Sequence, residues 1–372
     1  MHILFAASFR KGNFADFIYH EIKRMGHEIT WLTPVDCPYA DSIKTRPDVD
    51  VAAAARDMPQ KPDIFLFTDT SEGIAFLPRG VAECDIPTAF WALDNHLNLR
   101  WHKEYCALFD YAFFTQYDRM VQTRRFYGYP HLRWLAYCCD PQAHAGIGVE
   151  RDIDVGHVGG VNSDRIKFFA ALERQGVTVT TTNIPYFGRV GPFYSRCKIV
   201  LNVSARYDLN MRSFEAPAAG ALVIGQKSLD SGFYRIFTPG VNCDVHWFDD
   251  AAAVVKKYLA DDELRRRMAE AGKTLVLGGH TYRHRLDDLL TVCAGGITER
   301  RTALRGTWQA HLKMALTLWN RQFNQKQEAF LELKKACARN SAGTAAYLAR
   351  YGLLRAGEKL EKLRVQMGKA PV

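Results

Sequence analysis

Short apolar runs alternate with helical stretches along the first 145 residues. Six runs have the apolar character of buried strands: His2–Ala7, Glu28–Leu32, Asp63–Phe67, Thr88–Leu93, Tyr111–Thr115 and Leu132–Ala136. Between the first two, Phe14–Met25 carries apolar residues at helical spacing, and Gly26 follows as a C-terminal stop. Buried strands separated by helices are typical of a parallel sheet covered on both faces.

A second series of the same kind begins near Arg151. Its predicted strands are Asp154–Val158, Val177–Thr181, Lys198–Val203 and Leu222–Ile224. Its predicted helices are Arg165–Arg174, Phe193–Cys197, Phe214–Ala219, Val254–Tyr258 and Asp262–Ala271. Two consecutive α/β units of similar size predict two Rossmann-like domains that face each other across a cleft, with ligands beyond the carboxyl ends of the strands.

From about Ile297 the strand signal disappears and the pattern becomes helical. One apolar stripe at spacings of three and four is formed by Trp308, Leu312, Leu316, Trp319 and Phe323, with Phe330, Leu331 and Lys334 extending it. Ala345–Leu354 and Gly357–Val365 predict two further short helices. We therefore expect an N-terminal domain over 1–147, a second domain over 148–297 and a helical extension over 298–372.

Length and composition agree with a globular protein of more than one domain. The 372 residues exceed the roughly 250–300 at which a single core stops growing. Nine cysteines without a CxxC pair predict free, mostly buried thiols in a reducing compartment. No apolar run approaches the length of a membrane span, and no signal sequence is recognisable, so we expect a cytoplasmic protein.

The net charge of +9 is concentrated in the predicted extension. Residues 299–372 contain 15 basic and 5 acidic residues, whereas the rest of the chain contains 34 and 35. The extension can dock on the first domain, contact an anionic membrane surface or a polyanionic acceptor, or recruit a partner protein. Nucleic acid is not expected as a partner, because no recognised binding module accompanies the charge.

The stretch Lys198–Gly225 carries the most informative candidate chemistry. A buried strand leads into a polar loop, and a helix predicted to start near Asn210 ends at Gly220. The N-terminus of such a helix attracts anions, and Arg212 in its first turn can bind phosphate. Glu215, one turn later, can accept both hydroxyls of a ribose. The alternative is that Arg212 and Glu215 form a surface ion pair.

Several other patterns point away from metal or cofactor chemistry. The sequence contains neither GxxxxGK[ST] nor GxGxxG, so P-loop phosphoryl transfer and a dinucleotide cofactor are unsupported. The Asp48–Asp50 triplet lies in a polar loop, where we expect it to be solvated. His280 and His284 have the spacing of a zinc pair, but Arg283 lies between them and no HExxH glutamate is present, which favours structural packing.

The segment Arg-x-Phe-Glu, followed by Ala-Gly and a strand, resembles the donor-site motif of GT-B glycosyltransferases, most closely the CgeB-like (spore-maturation-type) group. Further stretches are similar to that group in the same order: Phe90–Trp101, Leu108–Gln116, Asp140-Pro141 with His144, Asp154–Gly160 and Gly279–Arg285. The resemblance covers roughly residues 1–293. It implies a GT-B fold: α/β, with two Rossmann-like domains, here followed by the basic helical extension.

The resemblance also implies roles for residues of the second domain. Glu215 is expected on the nucleotide's ribose, and Arg212 with the backbone of Asn210–Ser213 on the diphosphate. The Gly159-Gly160 backbone would approach the donor or the interdomain cleft, with Asn162 and Arg165 nearby. Phosphate binding by arginine and a helix terminus needs no metal, so neither a metal nor a cofactor is expected. Retaining GT-B enzymes place a sugar-binding glutamate where this chain has Tyr207, with Asp208 beside it, which leaves the stereochemistry open.

In the first domain, the predicted strand Thr88–Leu93 ends at Asp94, Asn95 and His96. Asp94 or His96 can take the proton of an acceptor hydroxyl as general base. The alternative is that Asp94 or Asn95 caps the next helix; both roles can hold together. The loop with Gly12 and Asn13 resembles the one that approaches donor or acceptor in GT-B enzymes.

Together these features predict transfer of a sugar from a nucleotide diphosphate sugar, with UDP weakly favoured, to a hydroxyl of a glycan or protein. Such a reaction fits bacterial glycan or protein glycosylation at the cytoplasmic membrane face. A nucleotide-sugar epimerase of the same fold and a non-catalytic nucleotide-sugar-binding scaffold are the alternatives. The residue pattern does not distinguish among bases, sugars, acceptors or oligomeric states.

Overall fold

The computed structural model describes residues 1–69, 76–160, 162–182, 189–204, 206–228, 230–319 and 325–350. The first domain contains seven strands and four helices within these ranges. In chain order they are β1 (His2–Ala6), α1 (Phe14–Arg24), β2 (Glu28–Thr33), β3 (Ser42–Lys44), α2 (Val51–Asp57), β4 (Ile64–Thr68), β5 (Thr88–Ala92), α3 (Asn95–Tyr105), β6 (Tyr111–Phe114), α4 (Tyr117–Tyr127) and β7 (Leu132–Trp134).

The seven strands form one parallel sheet in the order β3-β2-β1-β4-β5-β6-β7. Phe5 of β1 pairs with Trp31 on one side and Leu66 on the other. Separate apolar clusters cover the two faces, as expected for a sheet buried on both sides. The strand order reverses between β1 and β4, so a crevice opens beyond the carboxyl ends of these two strands.

A one-turn helix, α5 (Pro141–His144), lies in the segment that leads to the second sheet. The elements that follow are β8 (Ile153–Val158), α6 (Ser163–Arg174), β9 (Thr180–Thr182), α7 (Val190–Arg196), β10 (Cys197–Asn202), α8 (Arg212–Ala218), β11 (Leu222–Gln226), β12 (Asp244–His246), α9 (Ala251–Ala260) and α10 (Asp262–Gly279). The parallel order β12-β11-β10-β8-β9 reverses between β8 and β10. The second crevice therefore lies beyond Val158 and Asn202.

Helix α11 (Tyr282–Cys293) returns from the second domain and packs on α1 of the first. Arg285 donates from Nε to the Ala136 carbonyl at 3.0 Å and pairs with His280 at 2.7 Å. His284 closes a capping box with Thr281 at the start of α11. Both histidines of the suspected zinc spacing thus have structural partners, as the sequence analysis favoured.

The described part of the extension consists of α12 (Glu299–Leu304), α13 (Trp308–Leu318), α14 (Lys326–Arg339) and a helical segment at 341–350. Helix α13 packs on α3 and forms a hairpin with α14, so this part docks on the first domain. Arg301 is fully buried, and its Nε donates to Asp110 Oδ2 at 2.6 Å. Its other donors reach the carbonyls of Cys84 and Ile86.

The predicted apolar stripe of the extension was wrong in detail. Leu312 is buried as predicted, but Trp319 is 58% exposed. The other core-facing residues of α13 are Ala310, Met314, Ala315 and Leu318. Helix α13 also buries the polar side chains of Lys313 and Thr317, so its contact face is not an apolar stripe. Phe323 and the predicted helix Gly357–Val365 lie outside the described residues, as does the end of Ala345–Leu354.

Smaller differences concern capping and pairing. Helix α8 begins at Arg212, not near Asn210, and β9 is shorter than the predicted strand Val177–Thr181. Asp50 caps α2 by accepting from Ala53 N at 3.0 Å, so the Asp48–Asp50 triplet is not simply solvated. A second such triplet, Asp152–Asp154, escaped the sequence analysis; its carboxylates pair with Arg196 and Lys198.

The cysteine and membrane-span predictions can be compared with the structure. All nine cysteines are free, and seven of them are buried, as predicted. Among the described residues, no helix combines the length and apolar character needed to cross a membrane.

The Arg301–Asp110 pair gives the first prediction. Arg301→Ala leaves the Asp110 carboxylate buried without its cation, so we expect about 3–5 kcal/mol loss in the free energy of unfolding. Lys44→Ala is the control, because Lys44 pairs with Asp36 at 2.8 Å but both are exposed, and about 1 kcal/mol or less is expected. Urea denaturation measures both; equal losses would contradict the role of burial.

Candidate functional site

Arg212 occupies the crevice between β8 and β10. It is the first residue of α8, and its side chain reaches back to the strand ends. Nε donates to the Val158 carbonyl at 3.0 Å, and Nη1 donates to Asn202 Oδ1 at 2.6 Å. The guanidinium is therefore held in a fixed position by neutral oxygens, and its charge remains available to an anion.

Gly159 makes this position of Arg212 possible. Its φ of +130° is a conformation that favours glycine, and a Cβ there would lie 2.9 Å from Arg212 Nη2. A Cβ on Gly160, by contrast, would meet no atom within 4 Å. The Gly160 carbonyl accepts from Arg165 Nη1 at 2.5 Å. Gly159 therefore leaves the room that the Arg212 side chain needs, whereas the space beside the Gly160 Cα is empty.

Arg165 brings a second guanidinium to the same crevice. Its Nη2 donates to the Val203 carbonyl at 2.7 Å, and its backbone N–H is capped by Asn162 at 3.0 Å. Burial and the neighbouring charge of Arg212 lower the pKa of Arg165. Among the described residues, no carboxylate oxygen lies within ion-pair distance of either guanidinium. The pair can therefore neutralise an anion of two charges.

Asn202 connects the end of β10 to the start of α8. Its Oδ1 accepts from Asn210 Nδ2 at 3.1 Å, and its Nδ2 donates to Ser213 Oγ at 2.9 Å. The predicted residues Asn210, Arg212 and Ser213 thus share one partner. Asn202 was not among the predicted site residues, although a polar residue at the end of an apolar strand was a usable signal.

Glu215 lies on the buried side of α8. It is 3% exposed, and its Oε1 is buried and accepts no hydrogen bond from the described residues. Burial raises the pKa of Glu215 to about 8, and Arg212 opposes this shift. Glu215 is therefore not the exposed partner of a surface ion pair. A carboxylate buried without full hydrogen bonding is costly, which makes it a candidate for ligand binding.

His157 of β8 lies below Gly159 and was not predicted. Its Nδ1 bonds the Leu201 carbonyl at 2.9 Å, and its buried Nε2 has no hydrogen-bond partner among the described residues. Burial and the charge of Arg212 lower the pKa of His157 to about 2, so the ring is neutral. Nothing in the spacing of the sequence distinguished this histidine from a core residue.

Asp94 lies at the carboxyl end of β5 in a left-handed conformation with φ of +49°. Its Oδ1 accepts from the Tyr137 hydroxyl at 2.7 Å, and that hydroxyl accepts from Asp94 N at 3.0 Å. No N–H of α3 donates to the Asp94 carboxylate, so the side chain is not a helix cap. Left-handed backbone at a non-glycine residue is strained and is found preferentially at functional sites.

His96 faces the same space in the first turn of α3. Its Nδ1 is buried and accepts no hydrogen bond from the described residues. Burial lowers the pKa of His96 to about 4; Asp94 opposes the shift, whereas Arg119 and Arg206 contribute to it. Arg206 belongs to the second domain, so charges of both domains act on this imidazole.

The loop before α8 is fastened to the first domain. The Gln116 side chain accepts from Leu209 N at 2.9 Å and donates to Leu209 O at 3.0 Å. Arg206 and Tyr207 both have positive φ, near +60°. Burial raises the pKa of Tyr137, and the charges of Asp94 and Asp208 raise it further. The charge of Asp208 thus acts on Tyr137 of the first domain and on Arg165 of the second.

A buried polar chain supports this contact from within the first domain. Asn95 Oδ1 accepts from Thr115 N at 2.7 Å and Gln116 N at 3.3 Å. Its amide bonds His102 at 3.0 Å, and His102 bonds Asp69 at 2.9 Å. The sequence analysis considered Asn95 only as a cap and did not anticipate this chain.

Gly12 and Asn13 lie in the loop after β1. Asn13 caps α1 by accepting from Asp16 N at 3.0 Å, and Gly12 N donates to Asp16 Oδ2 at 2.6 Å. The positive φ of Gly12 suits this tight turn. The contacts of both residues are local, although the loop borders the crevice of the first sheet.

Residues 158–291 match the family model described as "Glycosyl transferase-like". No curated protein matches the chain.

Solved structures match over both domains. HepE from Anabaena, solved with UDP and glucose, has 12% identity and a TM-score of 0.60, covering 79% of this chain and 100% of that one. Sucrose-phosphate synthase from Thermosynechococcus elongatus has 10% identity and a TM-score of 0.59, covering 79% and 98%. A glycosyltransferase from Rickettsia africae has 10% identity and a TM-score of 0.54 over the same shares. These similarities confirm the predicted GT-B fold.

The two adjacent glycines provide a prediction about the anion site. Gly159→Ala forces a Cβ against Arg212, so we expect binding of inorganic diphosphate to weaken at least tenfold, or about 1.4 kcal/mol. Gly160→Ala, which places its Cβ in open space, is the matched control and should change affinity by less than about twofold. Calorimetric titration of both folded variants measures this; equal effects would remove Arg212 from the anion site.

Proposed function

We propose that this protein is a metal-independent glycosyltransferase of the GT-B class. It moves a sugar from a nucleotide diphosphate sugar to a hydroxyl acceptor of a glycan or protein. The observation that carries the proposal is the buried carboxylate of Glu215, whose Oε1 accepts no hydrogen bond from the described residues and which lies near Arg212 at the start of α8. The family match over this region and the UDP complexes of Anabaena HepE support it.

The donor would occupy the second-domain crevice. The diphosphate lies against Arg212 and Arg165, and the ribose hydroxyls donate to Glu215. The two guanidiniums supply the positive charge that a leaving diphosphate needs, so the reaction requires neither a metal nor a cofactor. UDP is the favoured nucleotide of the donor, because the similar Anabaena protein was solved in complex with UDP and with UDP-glucose. Membership of the CgeB-like group is part of the proposal.

The acceptor would bind between this crevice and Asp94. Its hydroxyl oxygen attacks the anomeric carbon, the bond from that carbon to the diphosphate breaks, and the nucleoside diphosphate leaves with the electron pair. The proton goes to Nδ1 of the neutral His96 ring, which accepts no hydrogen bond from the described residues. Asp94, oriented by Tyr137, stabilises the resulting imidazolium. Asp208 is the candidate for sugar contact, in place of the glutamate that Tyr207 replaces.

The alternatives differ in measurable ways. An epimerase of this fold would convert the nucleotide sugar without any acceptor. A binding scaffold would hold the nucleotide sugar and never release free nucleotide. The Nδ1 atom of His96, which accepts no hydrogen bond from the described residues, favours the transferase, because a scaffold gains nothing from a buried basic nitrogen in the cleft.

A nucleotide screen tests the donor site. We expect one of UDP, GDP, TDP, CDP and ADP to raise the melting temperature, with and without EDTA, since a ligand at 100 times its Kd adds about 2.7 kcal/mol. Glu215→Ala should weaken that nucleotide at least tenfold, about 1.4 kcal/mol. Glu270→Ala, an exposed carboxylate on α10, is the control. Stabilisation lost with EDTA, or none by any nucleotide, would count against the proposal.

The extension is proposed as a peripheral contact with an anionic, cytoplasmic membrane face. Phe330 and Leu331 are 51% and 56% exposed on α14, while the opposite side of that helix faces α13. Lys334 and Lys335 follow on the same exposed surface. Apolar side chains flanked by lysines fit anionic headgroups better than they fit a soluble partner protein.

Vesicle sedimentation tests this contact. Replacing Phe330 and Leu331 together by serine should weaken binding to phosphatidylserine-containing vesicles roughly tenfold or more, because two apolar side chains are no longer inserted. Ile166→Ser, which removes a 58% exposed apolar residue from α6, should have no effect. If the unmodified protein binds vesicles with phosphatidylserine no better than vesicles of pure phosphatidylcholine, the membrane contact is rejected.

A further inference from the structure

The first turn of α4, in the first domain, is hydrogen-bonded to a loop of the second domain. The backbone N–H of Tyr117 donates to the Ser231 carbonyl at 3.0 Å, and that of Asp118 donates to the Asp230 carbonyl at 3.1 Å. N–H groups in a first turn have no acceptor within their own helix, and the side chain of the preceding residue, Gln116, does not cap them. The second domain therefore supplies the acceptors for the start of α4.

The Gln116 side chain binds a second loop of the same domain. Its Oε1 accepts from Leu209 N at 2.9 Å, and its Nε2 donates to the Leu209 carbonyl at 3.0 Å. Both residues are buried. One amide group thus satisfies both backbone groups of a single residue, which fixes the position and the orientation of that residue. The loops that follow β10 and β11 are therefore both attached to the start of α4.

Side chains of both domains pack around these backbone contacts. The Arg235 guanidinium lies 3.5 Å from the centre of the Tyr117 ring. Gly232 lies against Trp134: its φ of +102° favours glycine, and a Cβ there would approach the indole to 2.5 Å. The rings of Tyr117 and Trp134 also contact each other edge-on, with centroids 5.5 Å apart. The loop that follows β11 is therefore fitted closely to the first domain.

A buried hydrogen-bonded series holds Gln116 from within the first domain. Asn95 Oδ1 accepts from Gln116 N at 3.3 Å, so the other end of that amide, Nδ2, must donate to His102 Nδ1 at 3.0 Å. A nitrogen that accepts a hydrogen bond carries no proton, so the proton of the neutral His102 ring is on Nε2 and is donated to Asp69 at 2.9 Å. The orientation of each member is thus determined by its neighbours.

The loop that Gln116 holds carries the candidate for sugar contact. Arg206 and Tyr207 have positive φ, and Asp208 follows immediately before Leu209. Strained backbone of this kind persists only where its surroundings impose it. The two hydrogen bonds of Leu209 are such a restraint, and they come from the first domain. The conformation of the loop therefore depends on a contact outside its own domain.

We propose that Gln116 is a positioning residue of the donor site, which holds the loop 206–209 in the conformation that contacts the donor sugar. Gln116 acts through the backbone of Leu209 and does not touch the sugar itself. The diphosphate would lie against Arg212 and Arg165, whose side chains are anchored within the second domain. This inference rests on the proposed function, and it makes sugar binding, but not diphosphate binding, depend on the contact between the domains.

The test compares UDP-glucose with UDP by calorimetric titration. Gln116→Met keeps the length of the side chain but removes both hydrogen bonds to Leu209. We expect it to weaken UDP-glucose about tenfold and UDP by less than about twofold, because only the sugar needs the loop. Gln116→Glu, which keeps an acceptor for Leu209 N, should recover part of the loss. Equal weakening of both ligands, or of neither, would overturn the inference.

Tyr105→Phe is the matched control. It removes one buried hydrogen bond within the first domain, which the Tyr105 hydroxyl donates to the Pro78 carbonyl at 2.6 Å. The variant should lower the free energy of unfolding, as Gln116→Met does, but leave the ratio of the two affinities unchanged. A change in that ratio would mean that general destabilisation explains the result, and the inference would fail.

A double variant tests the buried series behind Gln116. His102→Phe keeps an aromatic ring against Phe90, where the centroids are 5.5 Å apart, but removes the hydrogen bonds to Asn95 and Asp69. If the series acts through Gln116, His102→Phe should weaken UDP-glucose in the wild type and have little further effect in Gln116→Met. Additive losses would overturn the role of the series.

Hydrogen exchange tests the contact without any nucleotide. Amides of the loop 206–209 should exchange roughly tenfold faster in Gln116→Met and at the wild-type rate in Tyr105→Phe. Unchanged exchange in Gln116→Met would overturn the inference. Faster exchange in a protein whose wild type binds neither UDP nor UDP-glucose would instead reject the UDP-sugar donor of the proposed function, and with it the role of Gln116 in holding the sugar.

Discussion

Burying a carboxylate without hydrogen-bonding both oxygens raises the free energy of a fold, and Glu215 is one of the described residues at which the protein accepts that cost. The residues around Glu215 reduce this free-energy cost but do not remove it. Arg212 favours the charged form, while burial holds the pKa of Glu215 near 8. A hydrophobic residue of similar volume would suit the packing of α8 better. In the proposed function, the ligand that binds around β8 and β10 would complete the missing contacts.

The two domains are joined so that their crevices face each other. Helix α11 ties the second domain to α1, and Gln116 fastens the loop before α8 to the first sheet. The buried Arg301–Asp110 pair attaches the extension behind that sheet. These contacts bring Arg206 of one domain close enough to His96 of the other to lower its pKa. The cleft is thus a product of interdomain contacts, and neither sheet forms it alone.

Sequence patterns predicted most strands, because a short apolar run bounded by turn residues is compatible with few structures other than a buried strand. They also singled out Arg212 and Glu215 as candidate site residues, through a motif on a single short segment. They failed where the signal is spread over distant positions. In the sequence, His157 looks like a core residue, and only the structure places it near Arg212. The hydrogen-bonded series from Asn95 through His102 to Asp69 joins residues that are 26 positions apart at its two ends. The core-facing side of α13 was predicted incorrectly, because it includes Lys313, whose ammonium group pairs with Glu104 in the interior.

Backbone strain is concentrated on this same cleft. Asp94, Arg206 and Tyr207 are the three non-glycine residues with positive φ in the described part of the chain, and all three lie where the domains meet. Each conformation costs on the order of 1–3 kcal/mol and persists only when its surroundings impose it. Tyr137 fixes Asp94 with two hydrogen bonds, and Gln116 fixes Leu209 just beyond Tyr207. Groups held in this way need little reorganisation when a ligand binds. The strained loops therefore lower the free energy of unfolding but preorganise the site.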